Sequence, residues 1–394
     1  MSLQPQEQYT VPEETAKVAH AIFPKGTLCI TLADTLSEFV SDQDFSEIFA
    51  TQGQPAESPW RLALVTILQY VEGLTDRQTA DAVRSRIDWK YVLCLELTDV
   101  GFHHTVLSEF RTRLITAQAE CLVFERLLSL CQDKGWLKAR TRQRTDSTHV
   151  LAAIRAVTRL ECVGETLRAA LNALAVAAPD WLRPQSQSEW VDRYSERIED
   201  YHLPKSKTKR VEQAELYGND GFRLLNAIFE STSPQWLRQI PAVETLRRVW
   251  IQQYYCFNNK IRWRIQGEIP PASVMISSPY EPDAHYAKKK TTSWVGYKVH
   301  LSETCEPGEL HLITNVETTA GPVDDGDMTE VIHASLDNNN LLPDKHIVDT
   351  GYLDAELLVT TQANYQVDLF GPTRSDHRWQ AIDAKGFAAA NFTV

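Results

Sequence analysis

The sequence predicts an α/β protein. A helical N-terminal domain spans residues 1–135, and a strand-and-helix core spans 136–394, with a large helical insertion set into it at about 155–270. Three observations carry this reading. Dense apolar positions at helical spacing fill the first third of the chain. Two β-branched segments, Arg144-Thr145-Asp146-Ser147-Thr148-His149-Val150-Leu151 and His346-Ile347-Val348-Asp349-Thr350-Gly351-Tyr352, are each interrupted by one aspartate. A mostly helical block of roughly a hundred residues then separates the first segment from the next strands, where a compact fold uses a short connection.

The elements follow in order. Pro59 starts a helix whose apolar positions run to Tyr70, since proline suits a first helical turn. Gly73 punctuates, and Thr75 with Gln78 three residues on has the form of a capping box for a helix reaching Ser85. This pair has the spacing of a helix-turn-helix, while the acidic balance favours an ordinary helical bundle. Further helices fit Ser108 to Ile115 and Ala117 to Lys134, with Gly135 as the residue that ends the second. From Arg142 to Leu151 the pattern is that of a strand. From Thr158 to Tyr255 it is helical and rich in tryptophan (181, 190, 236, 250), the composition of a packed core. After Pro270 strands return, over Val295 to Leu301 and Leu310 to Val316, split by Glu306-Pro307-Gly308. A helix over Asp327 to Asn338 leads to the Asp349 strand; a helix from Leu353 and a short strand at Val367 to Phe370 complete the order.

Composition excludes several classes. Hydrophobic content of 43% and charged content of 23% are ordinary for a globular protein. No apolar run is long enough to span a membrane, and the N-terminus lacks the basic start and apolar core of a secretory signal. Seven cysteines show no CxxC pair and no zinc-ligand spacing, so they read as reduced thiols of a cytosolic protein. The formal charge of −12 argues against a general affinity for nucleic acid, but it is uneven. Residues 1–135 hold 11 basic and 19 acidic groups. Lys138, Arg140, Arg142 and Arg144 then arrive without an acid among them, and Lys205, Lys207, Lys209 and Arg210, then Lys288, Lys289 and Lys290, form further basic runs. Any one run has the composition of a solvated loop. The first leads directly into Asp146.

A strand normally reserves its positions for apolar or hydroxyl side chains, and a buried carboxylate is costly unless paired or metal-bound. Asp146 and Asp349 therefore point to a divided metal site assembled by the fold. Taken singly, Asp146 is equally a strand-edge residue and Asp349 a helix N-cap.

The order of a strand-borne Asp, two more strands, a helix and a strand ending in a second Asp is that of an RNase H-like fold. In this order the chain resembles a bacterial insertion-sequence transposase of the DDE class. The resemblance rests on Gly73-Leu74-Thr75-Asp76-Arg77-Gln78, Trp89-Lys90-Tyr91, Gly101-Phe102 and Phe110-Arg111-Thr112-Arg113-Leu114 in the helical region. It rests further on Thr145-Asp146-Ser147-Thr148-His149-Val150, on Asp283 with Lys288 to Lys290 and Trp294 to His300, and on Val348-Asp349-Thr350-Gly351-Tyr352.

The resemblance implies a catalytic triad of Asp, Asp and Glu holding two Mg²⁺ or Mn²⁺ ions, with Asp146 and Asp349 as the first two acids. Two such ions stabilise the entering and leaving oxygens of phosphodiester attack. It implies double-stranded DNA as partner, both the terminal inverted repeats and the target, a homodimer in the active complex, and a cytoplasmic, nucleoid-associated location. Arg142 and Arg144, which precede the first acid, and Lys288, Lys289, Lys290 and Lys298, which flank the strand over Val295 to Leu301, are the expected DNA contacts. The third acid is the departure. Glu356 follows Asp349 by only seven residues, and Gly386 to Val394 carry no acid, so the expectation is a C-terminally truncated copy. Two alternatives remain: a structure-selective nuclease on the same fold, and a catalytically dead fragment that binds DNA or the intact enzyme and inhibits it.

Overall fold

Two aspartate-bearing segments end up as neighbours in one sheet. The computed structural model describes residues 2–5, 9–36, 41–154, 157–289 and 291–372. The chain divides into two units, Met1–Lys138 and Ala139–Val394.

The first unit is helical: α1 (Glu13–Ile22), α2 (Leu28–Leu36), α3 (Pro59–Glu72), α4 (Asp76–Ser85), α5 (Ile87–Val92), α6 (Thr105–Thr116) and α7 (Leu122–Asp133). Local chemistry sets the boundaries. Pro59 opens α3, and Gly73 closes it in the left-handed conformation at φ 65°. The Thr75 side chain accepts from the Gln78 N–H while the Gln78 side chain accepts from the Thr75 N–H, so two orphan donors are satisfied at once. Leu62, Val65, Leu68, Val83, Trp89, Leu93, Leu107 and Phe110 form the core of this unit.

The second unit contains β1 (Arg142–Leu151), then α8 (Arg159–Ala177), α9 (Pro179–Gln185), α10 (Ser188–Tyr194), α11 (Lys207–Phe229) and α12 (Pro241–Gln253). Next come β2 (Tyr254–Phe257), β3 (Lys260–Trp263), β4 (His285–Lys289), β5 (Thr292–Thr304), β6 (Ile313–Ala320), α13 (Met328–Asn338), β7 (Lys345–Val348), α14 (Ala355–Tyr365) and β8 (Asp368–Phe370). The main sheet runs β4-β5-β1-β7-β8, with β6 also paired to β5. Antiparallel pairing joins β5 to β1, β4 and β6, and parallel pairing joins β1 to β7 and β7 to β8.

Helices α8 to α12 lie between β1 and β2 in the chain and own a separate core around Leu167, Leu174, Trp190, Tyr217, Leu224 and Trp250. Trp236, by contrast, is exposed. The expected all-helical pattern to Tyr255 misses the β2–β3 hairpin, which lies outside the main sheet. Its turn residues Asn258 and Asn259 both adopt positive φ, 50° and 58°, a conformation asparagine tolerates and two-residue hairpins demand. β4 was likewise not anticipated as a strand.

One position fixes how closely β1 and β5 approach. Gly296 has φ +150°, and a Cβ there would sit 2.2 Å from the Val150 carbonyl oxygen and 2.6 Å from the Ala152 nitrogen. Gly296→Ala is expected to cost about 3 kcal/mol by forcing these strands apart, read as a lowered urea midpoint. An unchanged midpoint would contradict the close approach.

Candidate active site

The register of β1 against β7 ends with Thr145 opposite Val348. The next residue on each chain is one of the two aspartates. Neighbouring strands lie about 4.8 Å apart, so the backbones of the two aspartate-bearing segments are neighbours where β7 ends. Ligand sites of open α/β sheets form at the carboxyl ends of parallel strands.

Each carboxylate is oriented by its own backbone. Asp146 Oδ1 accepts from the Ser147 N–H at 2.7 Å. Asp349 Oδ1 accepts from the Gly351 N–H at 2.8 Å, capping the short turn Thr350–Tyr352. The helix N-cap expected at Asp349 is therefore a cap on a single 3₁₀ turn, and α14 is capped separately by Asp354. Asp146 opens onto a depression of about 310 Å³ shared with Arg144, Thr148, Leu301, Glu303 and Ile313.

A third carboxylate, unforeseen in the sequence, lies against the Asp349 turn on the face of β1 opposite Asp146. Asp325, in the loop between β6 and α13, is 7% exposed. Its carboxylate accepts from Lys298 Nζ at 2.8 Å and from Ser147 Oγ at 3.3 Å to each oxygen. Lys289 Nζ lies 3.9 Å from it. Buried Tyr352 reports on all three acids. Burial raises its hydroxyl pKa first, and the charges of Asp325, Asp146 and Asp349 raise it further, against a lowering contribution from Ser147. The hydroxyl is 2.5 Å from His300 Nδ1, and burial lowers the pKa of that imidazole.

Beneath the acids lies a layer of buried polar groups. Thr145 Oγ1 is 2.6 Å from Ser302 Oγ and 2.6 Å from His346 Nε2, and His346 Nδ1 is 2.7 Å from His333 Nε2. Gln143 donates to the Leu341 carbonyl and accepts from Thr314. Burial pushes the His333 pKa down to about 4 and that of His346 down to about 3, so both rings are neutral at physiological pH.

The expected DNA contacts do not share one face. Strand alternation puts Arg142 and Arg144 with Asp146 on the face opposite buried Gln143 and Thr145. Lys288 faces the same way as Arg144, whereas Lys289 shares the other face with Lys298 and Ser147. Arg144 is paired with Glu303 across the β1–β5 ladder. Lys298 is committed to Asp325 and to the Val323 carbonyl, leaving Lys288 and Lys289 as the more accessible cations of the group. Lys290 lies outside the described residues, as do Gly386 to Val394. Glu356 is exposed in the first turn of α14.

Among the described residues, no group of three or more His, Cys, Asp or Glu side chains is arranged to hold a metal ion. Asp146 and Asp349 would offer carboxylate oxygens to a divalent cation, while Asp325 is ion-paired with Lys298. Hard cations take carboxylate oxygens.

Residues 17–113, from within α1 to within α6, match the family model described as a transposase domain (DUF772). The matched segment lies within the first unit. No curated protein and no solved structure matches the chain. Among the described residues no helix is long and apolar enough to cross a membrane, and all seven cysteines are free thiols.

Proposed function

We propose that this protein is a DNA transposase of the DDE class, its second unit an RNase H-like core that acts on phosphodiester bonds. The observation that carries this reading is the register that pairs the strand segments leading into Asp146 and Asp349, two residues 203 positions apart in sequence. The strand order β6-β5-β1-β7-β8, antiparallel on one side of β1 and parallel on the other, supports it. So does the transposase domain matched in the first unit.

Asp146 and Asp349 would hold Mg²⁺ or Mn²⁺, and the bound cation would supply charge to activate an attacking hydroxyl and stabilise the leaving oxygen. The chain's own part is positioning. Ser147 and Gly351 N–H groups hold one oxygen of each acid, leaving the other oxygen of each for the cation. Tyr352 stays protonated beneath them, because burial and three nearby carboxylates oppose its ionisation. Lys288, on the same face of the sheet as Asp146, would meet phosphate.

The test is affinity for duplex DNA across a salt series. Binding is expected to weaken steeply with salt, and Lys288→Ala is expected to reduce the log–log slope by about 1, one unit for the lost phosphate contact. An unchanged slope would assign this lysine to a solvated surface.

A further inference from the structure

We propose that Asp325 is a positioning residue that ties the two acid-bearing segments to each other, an inference that rests on the reading of Asp146 and Asp349 above. The two acids are oriented by two backbone donors, Ser147 N–H and Gly351 N–H. Asp325 is in reach of both donor residues. It accepts the Ser147 hydroxyl with both oxygens. Its Oδ2 lies 3.0 Å from the point a Cβ on Gly351 would occupy, and Asp349 Oδ1 lies 3.0 Å from that same point. One side chain thus fills the corner between β1 and the Asp349 turn.

The surroundings suit a bracket more than a ligand. A carboxylate as buried as Asp325 is costly unless paired, and Lys298 and Lys289 offset its charge. Lys298 also donates to the Val323 carbonyl, which pins the loop that carries Asp325. The helix that follows is anchored to the same turn, because Thr329 Oγ1 donates to the Tyr352 carbonyl at 2.9 Å. Asp325 therefore acts through Ser147 and Gly351, with its charge spent on lysine rather than on a cation.

Removing one partner of the buried ion pair would strand the other charge, so the variants change both. Asp325→Asn/Lys298→Met keeps an acceptor for the Ser147 hydroxyl; Asp325→Ala/Lys298→Met does not. The readout is Mn²⁺ affinity of the 394-residue chain by electron paramagnetic resonance titration, with far-UV circular dichroism as the check on folding. The Ala pair is expected to weaken Mn²⁺ binding about tenfold or more, and the Asn pair less than about threefold. Equal losses in the two pairs would make Asp325 a metal ligand and overturn the positioning role. No loss in the folded Ala pair would overturn it too. Ser147→Ala, which deletes only the hydroxyl, is the variant to read if the double changes unfold the chain; it should weaken binding, and unchanged affinity would count against the proposal. If Asp349→Asn leaves Mn²⁺ affinity intact, the acid pair itself has failed. If Asp349→Asn abolishes binding while the Ala pair retains it, only the role of Asp325 has.

Discussion

Asp349→Asn is expected to weaken Mn²⁺ binding roughly tenfold or more, because cation affinity at oxygen sites follows the number of charged ligands. The substitution is conservative in shape. An Asn side-chain oxygen can still accept the Gly351 N–H, which Asp349 Oδ1 accepts at 2.8 Å, so the turn that places it should persist. Only the charge is lost. Asp146→Asn should behave in parallel, since Ser147 N–H holds its Oδ1 in the same manner. Any Mn²⁺-dependent cleavage of DNA by the chain should fall by about 10² or more in either variant, as fixed charge at the reacting centre is a large part of such catalysis. The measurement is metal titration alongside a thermal melt. Two variants that melt like the parent and bind Mn²⁺ like the parent would remove the metal-centre reading.

The second large effect concerns acid. His333 and His346 are buried, hydrogen-bonded to each other, and held neutral, with pKa values pushed down to about 4 and about 3. In the unfolded chain both return to the ordinary value near 6.5. Between pH 6.5 and pH 4 the unfolded state therefore binds protons that the folded state refuses. The stability these rings contribute is fully present above pH 6.5 and is lost as pH falls, by at most about 1.4 kcal/mol per pH unit for each imidazole. Thermal melts at pH 7, 6 and 5 should show the midpoint descending. His333→Gln removes one titrating ring and should flatten the descent. The same slope in parent and variant would mean that acid acts elsewhere.

Much of the secondary structure was legible because its causes are local. The Thr75–Gln78 capping box, the glycines that end α3 and α7, and the β-branched run of β1 each act within a few residues of themselves. The β2–β3 hairpin was missed although its signal was present: Asn258-Asn259 between aromatic and β-branched residues. β4 was missed for a different reason. His285-Tyr286-Ala287-Lys288-Lys289 has little strand propensity of its own and is held by pairing with β5.

The candidate site divides the same way. Asp146 and Asp349 stood out because a carboxylate is out of place in a β-branched run. Asp325 did not, because Val323-Asp324-Asp325-Gly326-Asp327 reads as an ordinary polar loop, and its partners come from β1 and β5. The basic residues were legible as a group, but which face each occupies depended on pairing that no single strand reveals.

The insertion has a consequence for the order in which the protein comes together. Its entry point, Leu151, and its exit point, His285, both pair with Gly296, one on each side of β5. Two strand spacings, about 10 Å, separate the ends of a segment that folds around its own core. While that segment is unstructured, β1 can find β5 only by closing a very long loop, which carries an entropic cost and slows folding. Once it has folded, the same connection is as short as a wide hairpin. β1 emerges from synthesis well before its partner and waits as an unpaired edge, the kind of surface that invites association between chains. How long it waits, and so how much of the chain reaches the sheet rather than an aggregate, depends on how fast helices α8 to α12 collapse.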